Sequence, residues 1–91
     1  MNYIKNTKED WVSNQLKFEE LIKDKEMPYD ISFTFIRGSR RKFDYINPAQ
    51  TVQDLMVKYG YIQDDNCDCI IPHFEGYQYN KTEPGVIIKV L

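Results

Sequence analysis

The chain has 91 residues, a net charge of −2, 42% hydrophobic residues and 14% aromatic ones. This is the size of one domain, residues 1–91, with enough apolar content to exclude disorder and too little positive charge to coat nucleic acid through a broad field. No apolar run approaches the roughly 20 residues needed to cross a bilayer, and Met1-Asn-Tyr-Ile-Lys-Asn-Thr carries no signal-type apolar stretch, so a soluble cytoplasmic protein is expected.

Thr7-Lys-Glu-Asp10 has the spacing of a capping box. The pattern predicts a first helix from about residue 8 to about residue 24, burying Trp11, Phe18, Leu21 and Ile22, with Val12 and Leu16 widening the buried surface. Met27-Pro28 closes that segment. Tyr29 to Ile36 alternates, with Tyr29, Ile31, Phe33 and Phe35 on one side, and reads as a strand broken by Gly38-Ser39.

A second helix is expected to open with Asn47 as N-cap and Pro48 at its first position. It carries the apolar stripe Val52, Leu55, Met56 and Tyr59, and Gly60 ends it. Asn47, Gln50 and Asp54 fall on its opposite face. Cys67 to Ile71 suggests a short strand ending at Pro72, and Val86 to Leu91 a buried terminal strand, with Phe74, Tyr77 and Tyr79 alternating loosely between them. The order helix, strand, helix, strand, strand implies an α+β fold, a mixed sheet with two helices packed on it. The Tyr residues and Trp11, at helical or strand spacing, read as core rather than as base-stacking platforms.

Charge is segregated along the sequence. Arg37, Arg40, Arg41 and Lys42 fall within six residues free of acids, whereas residues 61 to 80 hold Asp64, Asp65, Asp68 and Glu75 and no Lys or Arg. Asp44 lies between the basic run and the second helix, Asp54 inside that helix, and Asp64-Asp65 beyond it. Carboxylates in this arrangement suit Mg²⁺, which takes oxygen ligands and phosphate, while the cations would hold a phosphodiester backbone. Plainer roles exist for each: Asp64-Asp65-Asn66 makes a good turn, Asp54 a solvated helix residue, and Arg37 to Lys42 a solvated loop. Cys67, Cys69 and His73 supply three of the four ligands a structural zinc needs, and the cysteines, two residues apart, read as reduced packing residues.

The ordered set Arg40-Arg-Lys-Phe-Asp44-Tyr-Ile-Asn47, Asp54-Leu55 and Gly60-Tyr-Ile-Gln-Asp64-Asp65 resembles the RusA family of Holliday junction resolvases, phage-type endodeoxyribonucleases. The specific motifs occupy residues 37–66. The resemblance implies an Mg²⁺-dependent homodimer that cuts branched DNA in recombination and repair. It implies Asp44 and Asp65 as metal carboxylates, Asp54 and Asp64 as helpers at the metal and in catalysis, and Arg37, Arg40, Arg41 and Lys42 as DNA contacts. Ile46 stands where the family has a second Asp, and Gln50 where it has a Lys; both departures point equally to a relative that binds DNA or a protein partner without cleaving. The family's leading strand is not read ahead of the first helix. An unrelated small interaction module, whose acids serve turns and caps, is the remaining alternative.

Overall fold

The computed structural model describes residues 2–91, so Met1 lies outside the described residues. The elements are β1 (Asn2–Lys5), α1 (Lys8–Ile22), β2 (Tyr29–Arg37), α2 (Ile46–Lys58), β3 (Ile70–Tyr79) and β4 (Gly85–Val90). They form one four-stranded sheet in the order β1-β4-β2-β3. β2 and β3 run parallel, joined through α2, while β4 lies antiparallel between β1 and β2. The sheet is therefore mixed, and the α+β class expected from the sequence holds.

Register determines which side of the sheet is inside. Ile31, Phe33 and Phe35 of β2 face Val90, Ile88 and Val86 of β4, which in turn face Asn2 and Ile4 of β1. Paired residues share a face, and nearly all of these join one core with Trp11 and Phe18 of α1 and Ala49, Val52 and Met56 of α2. Both helices thus cover the same side. The other side, bearing Tyr3, Ile87, Lys89, Asp30, Thr34 and His73, carries no helix, and there the exposed His73 Nε2 lies 2.9 Å from Asp30 Oδ1.

The first helix starts as its sequence requires. The Asp10 amide donates to Thr7 Oγ1 at 3.2 Å, but the Asp10 carboxylate takes the Lys5 amide at 2.6 Å, not that of Thr7, which donates to the Lys5 carbonyl at 2.7 Å. Its buried side is Trp11, Asn14 and Phe18. Val12 and Leu16, expected to widen it, are 55% and 70% exposed. At about 100° per residue they lie well round the helix from the Trp11–Phe18 line, and nothing packs there.

Three boundaries also differ from expectation. A strand does precede the first helix: β1 is only four residues long, too short for its alternation to register as a pattern. The second helix starts at Ile46 with Tyr45 as N-cap, so Asn47 is not the cap; it sits inside the first turn, where its carbonyl accepts from Thr51 Oγ1. Pro48 remains in that first turn, where its missing N–H costs no helical bond. Cys67 to Cys69 form a turn, and β3 starts at Ile70 and passes through Pro72 instead of ending there. β3 is an edge strand, which tolerates a residue without an N–H.

Two glycines meet strict demands. Gly60, at φ +75°, takes the left-handed step that ends α2. Gly85 pairs with Lys5 so closely that a Cβ would run into the Ile4 carbonyl oxygen. Any larger residue there would push β1 off the sheet.

Candidate nucleic-acid interface

Residues 38–45 leave the end of β2 and lead into α2, and aromatic packing holds this loop in place. The Arg37 guanidinium lies 4.0 Å above the Phe43 ring, and the Phe43 ring meets Tyr45 and Tyr77 edge-on at 5.1 and 5.0 Å between centroids. Tyr45 stacks on Phe74 at 5.8 Å with the planes 10° apart. The Arg40 guanidinium sits 4.2 Å over Tyr79. The loop is pinned to β3 by rings and cations.

Between loop and strand lies an open cleft of about 610 Å³ lined by Arg40, Arg41, Lys42, Phe43, Asp44, Tyr45, Asn47 and Tyr77. Arg40, Arg41 and Lys42 are exposed, while Arg37 is half-buried with its Nε shielded from solvent and without a hydrogen-bond partner. Three of the four expected DNA contacts therefore present charge to the cleft. The fourth serves mainly to hold Phe43.

The acidic residues divide into two places. One face of α2 carries Asn47, Gln50 and Asp54 at helical spacing, and Gln50 Nε2 donates to Asp54 Oδ1 at 2.9 Å and to Asp65 Oδ2 at 3.2 Å. Asp54 and Asp65 are thereby gathered on one amide. Asp44 is not part of this group: it lies in the cleft with the basic residues, before the helix begins. Of the acids expected at a metal, Asp54 and Asp65 meet at Gln50 and Asp44 lines the basic cleft; among the described residues no group of three or more His, Cys, Asp or Glu side chains is gathered for an ion. The helix axis sets Asp44 and Asp54 apart, since Asp44 precedes α2 and Asp54 lies about two turns, roughly 12 Å of rise, along it from Ile46.

Asp64 serves the turn. Its Oδ1 accepts the Asp65 amide at 2.8 Å and its Oδ2 the Asn66 side-chain amide at 3.3 Å, while Asn66 Oδ1 accepts the Asp68 amide. Cys67 and Cys69 are both free thiols, exposed and buried respectively. Ile46, in the place of the resemblance's second Asp, is 74% exposed.

Tyr77 and Tyr79, read from the sequence as core, are 54% and 39% exposed, and Phe74 on the same strand is 44% exposed. They stand on the edge strand, beyond the part of the sheet that the helices cover, and a β-bulge brings them together. The β2–β3 register runs Phe33 to Phe74 and then Thr34 to Gly76, skipping Glu75, so Phe74, Tyr77 and Tyr79 face Phe33, Phe35 and Arg37 and share one side. Without the bulge Phe74 and Tyr77 would lie on opposite faces. A Gly within an aromatic strand pattern was the available signal.

No family model, curated protein or solved structure matches the chain.

Proposed function

We propose that the chain is a RusA-like, Mg²⁺-dependent endodeoxyribonuclease subunit that acts on branched DNA, as a cytoplasmic homodimer whose two-fold symmetry matches the junction. One observation carries the reading: Gln50, in the position where the family has a Lys, lies against both Asp54 and Asp65, two of the acids carried over from the family's motif. Helical spacing brings Asp54 to Gln50, and Asp65, fifteen residues from Gln50 and beyond the helix, meets it through the same side chain. The basic cleft begins one helical turn away, at Asn47.

The donor set fits magnesium modestly. Two carboxylates, with waters and substrate phosphate, meet its usual oxygen shell, provided the Gln50 amide turns its N–H groups away from them. An ion held by Asp54 and Asp65 would polarise a phosphate and lower the pKa of a nearby water. The chain's own contribution is to keep the two carboxylates together and to hold flanking phosphates on Arg40, Arg41 and Lys42. Asp44, beside those cations, would orient them and face the substrate.

A second reading keeps the DNA and drops the cleavage. It is favoured by Ile46, an exposed aliphatic side chain, and by Gln50, a neutral amide where a cation would assist the leaving group. A four-way-junction cleavage assay in Mg²⁺ distinguishes the two. Asp65→Asn and Asp44→Asn are expected to lower cleavage at least about a hundredfold, in the range typical for loss of a catalytic group. Wild type cutting no faster than these variants, while binding the junction in a salt-sensitive way, establishes the second reading.

A further inference from the structure

The aromatic rim on β3 has a chemistry of its own. Tyr77 is the most exposed large ring of the cleft at 54%, and it meets Phe43 at 87° between planes without stacking on it, so over half of its surface is open to a ligand. Beside it the Arg40–Tyr79 pair presents a guanidinium plane at 4.2 Å over the phenol ring. Arg41 and Lys42 complete a cationic margin to the same cleft, and Asp44 is the one acid among its lining residues. Exposed rings interleaved with cations are the combination by which proteins take up unpaired nucleotides, bases on the rings and phosphates on the cations.

Spacing sets the form of the nucleic acid. Tyr77 and Tyr79 are alternate residues of one strand, so their side chains stand about 6.6 Å apart along it. Stacked bases in a duplex rise by about 3.4 Å, so neighbouring bases of an intact duplex cannot occupy successive rings, whereas an unstacked strand can. The bulge at Glu75 brings Phe74 onto the same side, where Tyr45 stacks on it and supports the rim from beneath. The β3 edge also faces solvent along its length, so a strand has unobstructed access.

We propose that this rim binds single-stranded DNA, with one base stacked on Tyr77, the next on the Arg40–Tyr79 pair, and the phosphates between them on Arg41 and Lys42. The proposal shares with the nuclease reading a nucleic-acid partner and the cations Arg40, Arg41 and Lys42 of the cleft, and it uses none of the acids grouped on Gln50. In a junction it would place an unpaired strand beside the cleft; without any cleavage it stands unchanged.

Fluorescence anisotropy in EDTA at low salt, with a labelled oligothymidylate of about a dozen nucleotides, tests it. The comparison ligand is an abasic oligonucleotide of equal length, which keeps the phosphates and removes the bases. Wild type should bind the oligothymidylate about tenfold or more tighter than the abasic strand, and tighter than a blunt duplex. Tyr77→Ala should lose about tenfold, Tyr77→Trp should retain binding, and Tyr3→Ala, an exposed tyrosine on the far edge of the sheet, should leave it unchanged. Equal affinity for the abasic strand, tighter duplex binding, or a Tyr77→Ala variant with native circular dichroism and wild-type affinity would each overturn the proposal. The assay is run in EDTA, where no metal-dependent cleavage occurs, so failure of the nuclease reading leaves this result untouched, and junction cleavage in Mg²⁺ is read separately from it.

Discussion

Two aromatic clusters built from similar residues have opposite fates in this fold. At the α1 corner, Trp11 meets Tyr61 edge-on at 5.1 Å, Phe18 lies 5.1 Å from Tyr61, and Trp11 stacks near Tyr59 at 6.3 Å. Trp11, Phe18 and Tyr61 are essentially buried, and the Tyr61 hydroxyl donates to the Trp11 carbonyl. At the β3 rim, Phe43, Tyr45, Phe74 and Tyr77 make contacts of similar length, yet half of the Tyr77 surface meets water. Ring-to-ring distance does not separate core from surface; the presence of a covering helix does. The first cluster is closed by α1, whereas the second is closed only by a loop and bordered by cations.

The contrast can be broken most forcefully at the corner. Phe18→Ala should destabilise the fold by about 3–5 kcal/mol, read as a lower urea midpoint at unchanged slope, because it empties a fully buried site. A loss below about 1 kcal/mol would mean the corner is as loose as the rim.

Tyr61 gives a smaller and pH-dependent effect. Burial is the main cause raising its hydroxyl pKa, with the Asp10 carboxylate adding to it. The unfolded chain therefore ionises first: stability should be level up to about pH 9.5 and fall as pH rises past the ordinary tyrosine value of about 10. Tyr61→Phe should cost about 1 kcal/mol at neutral pH, through the lost hydrogen bond to the Trp11 carbonyl, and flatten that alkaline slope. Urea titrations at several pH values read both.

The smallest expected change is at the rim itself. Tyr77→Ala should shift stability by no more than about 0.5 kcal/mol, since the ring is mainly solvated. A larger loss would place Tyr77 with the corner and make it a structural residue.

Much of the fold was legible because its signals are local. Thr7 with Asp10, the alternation from Tyr29, and the Val52–Met56 stripe each act within one element, and each appears where periodicity put it. What escaped depends on neighbours distant in sequence. Pro72 ends a strand in isolation but is tolerated at a sheet edge, which only the β1-β4-β2-β3 order reveals. Leu16 looks like core until it is clear that no element packs on its side of α1. At the candidate site, helical spacing correctly put Gln50 and Asp54 on one face, but the arrival of Asp65 at Gln50 depends on the path of the 59–69 segment. The aromatic rim was hidden by a single skipped residue: strict alternation sends Phe74 and Tyr77 to opposite faces, and the bulge reverses one of them.

The strand order also sets the sequence of events in folding. Among the described residues β4, the last strand, is the one neighbour of β1 and one of two neighbours of β2, with Asn2 facing Ile88 and Ile31 facing Val90. Until synthesis has passed Val90, β1 has nothing to pair with and Ile31, Phe33 and Phe35 lack half of their sheet. Closure of so large a loop for the first strand pair makes the contacts predominantly non-local, the condition under which small domains fold slowly. A nascent chain must therefore keep an apolar β2 from wrong partners for most of its synthesis, and the solvated charges of Lys23-Asp-Lys-Glu26 and Arg40-Arg-Lys42 on either side of it are suited to that task.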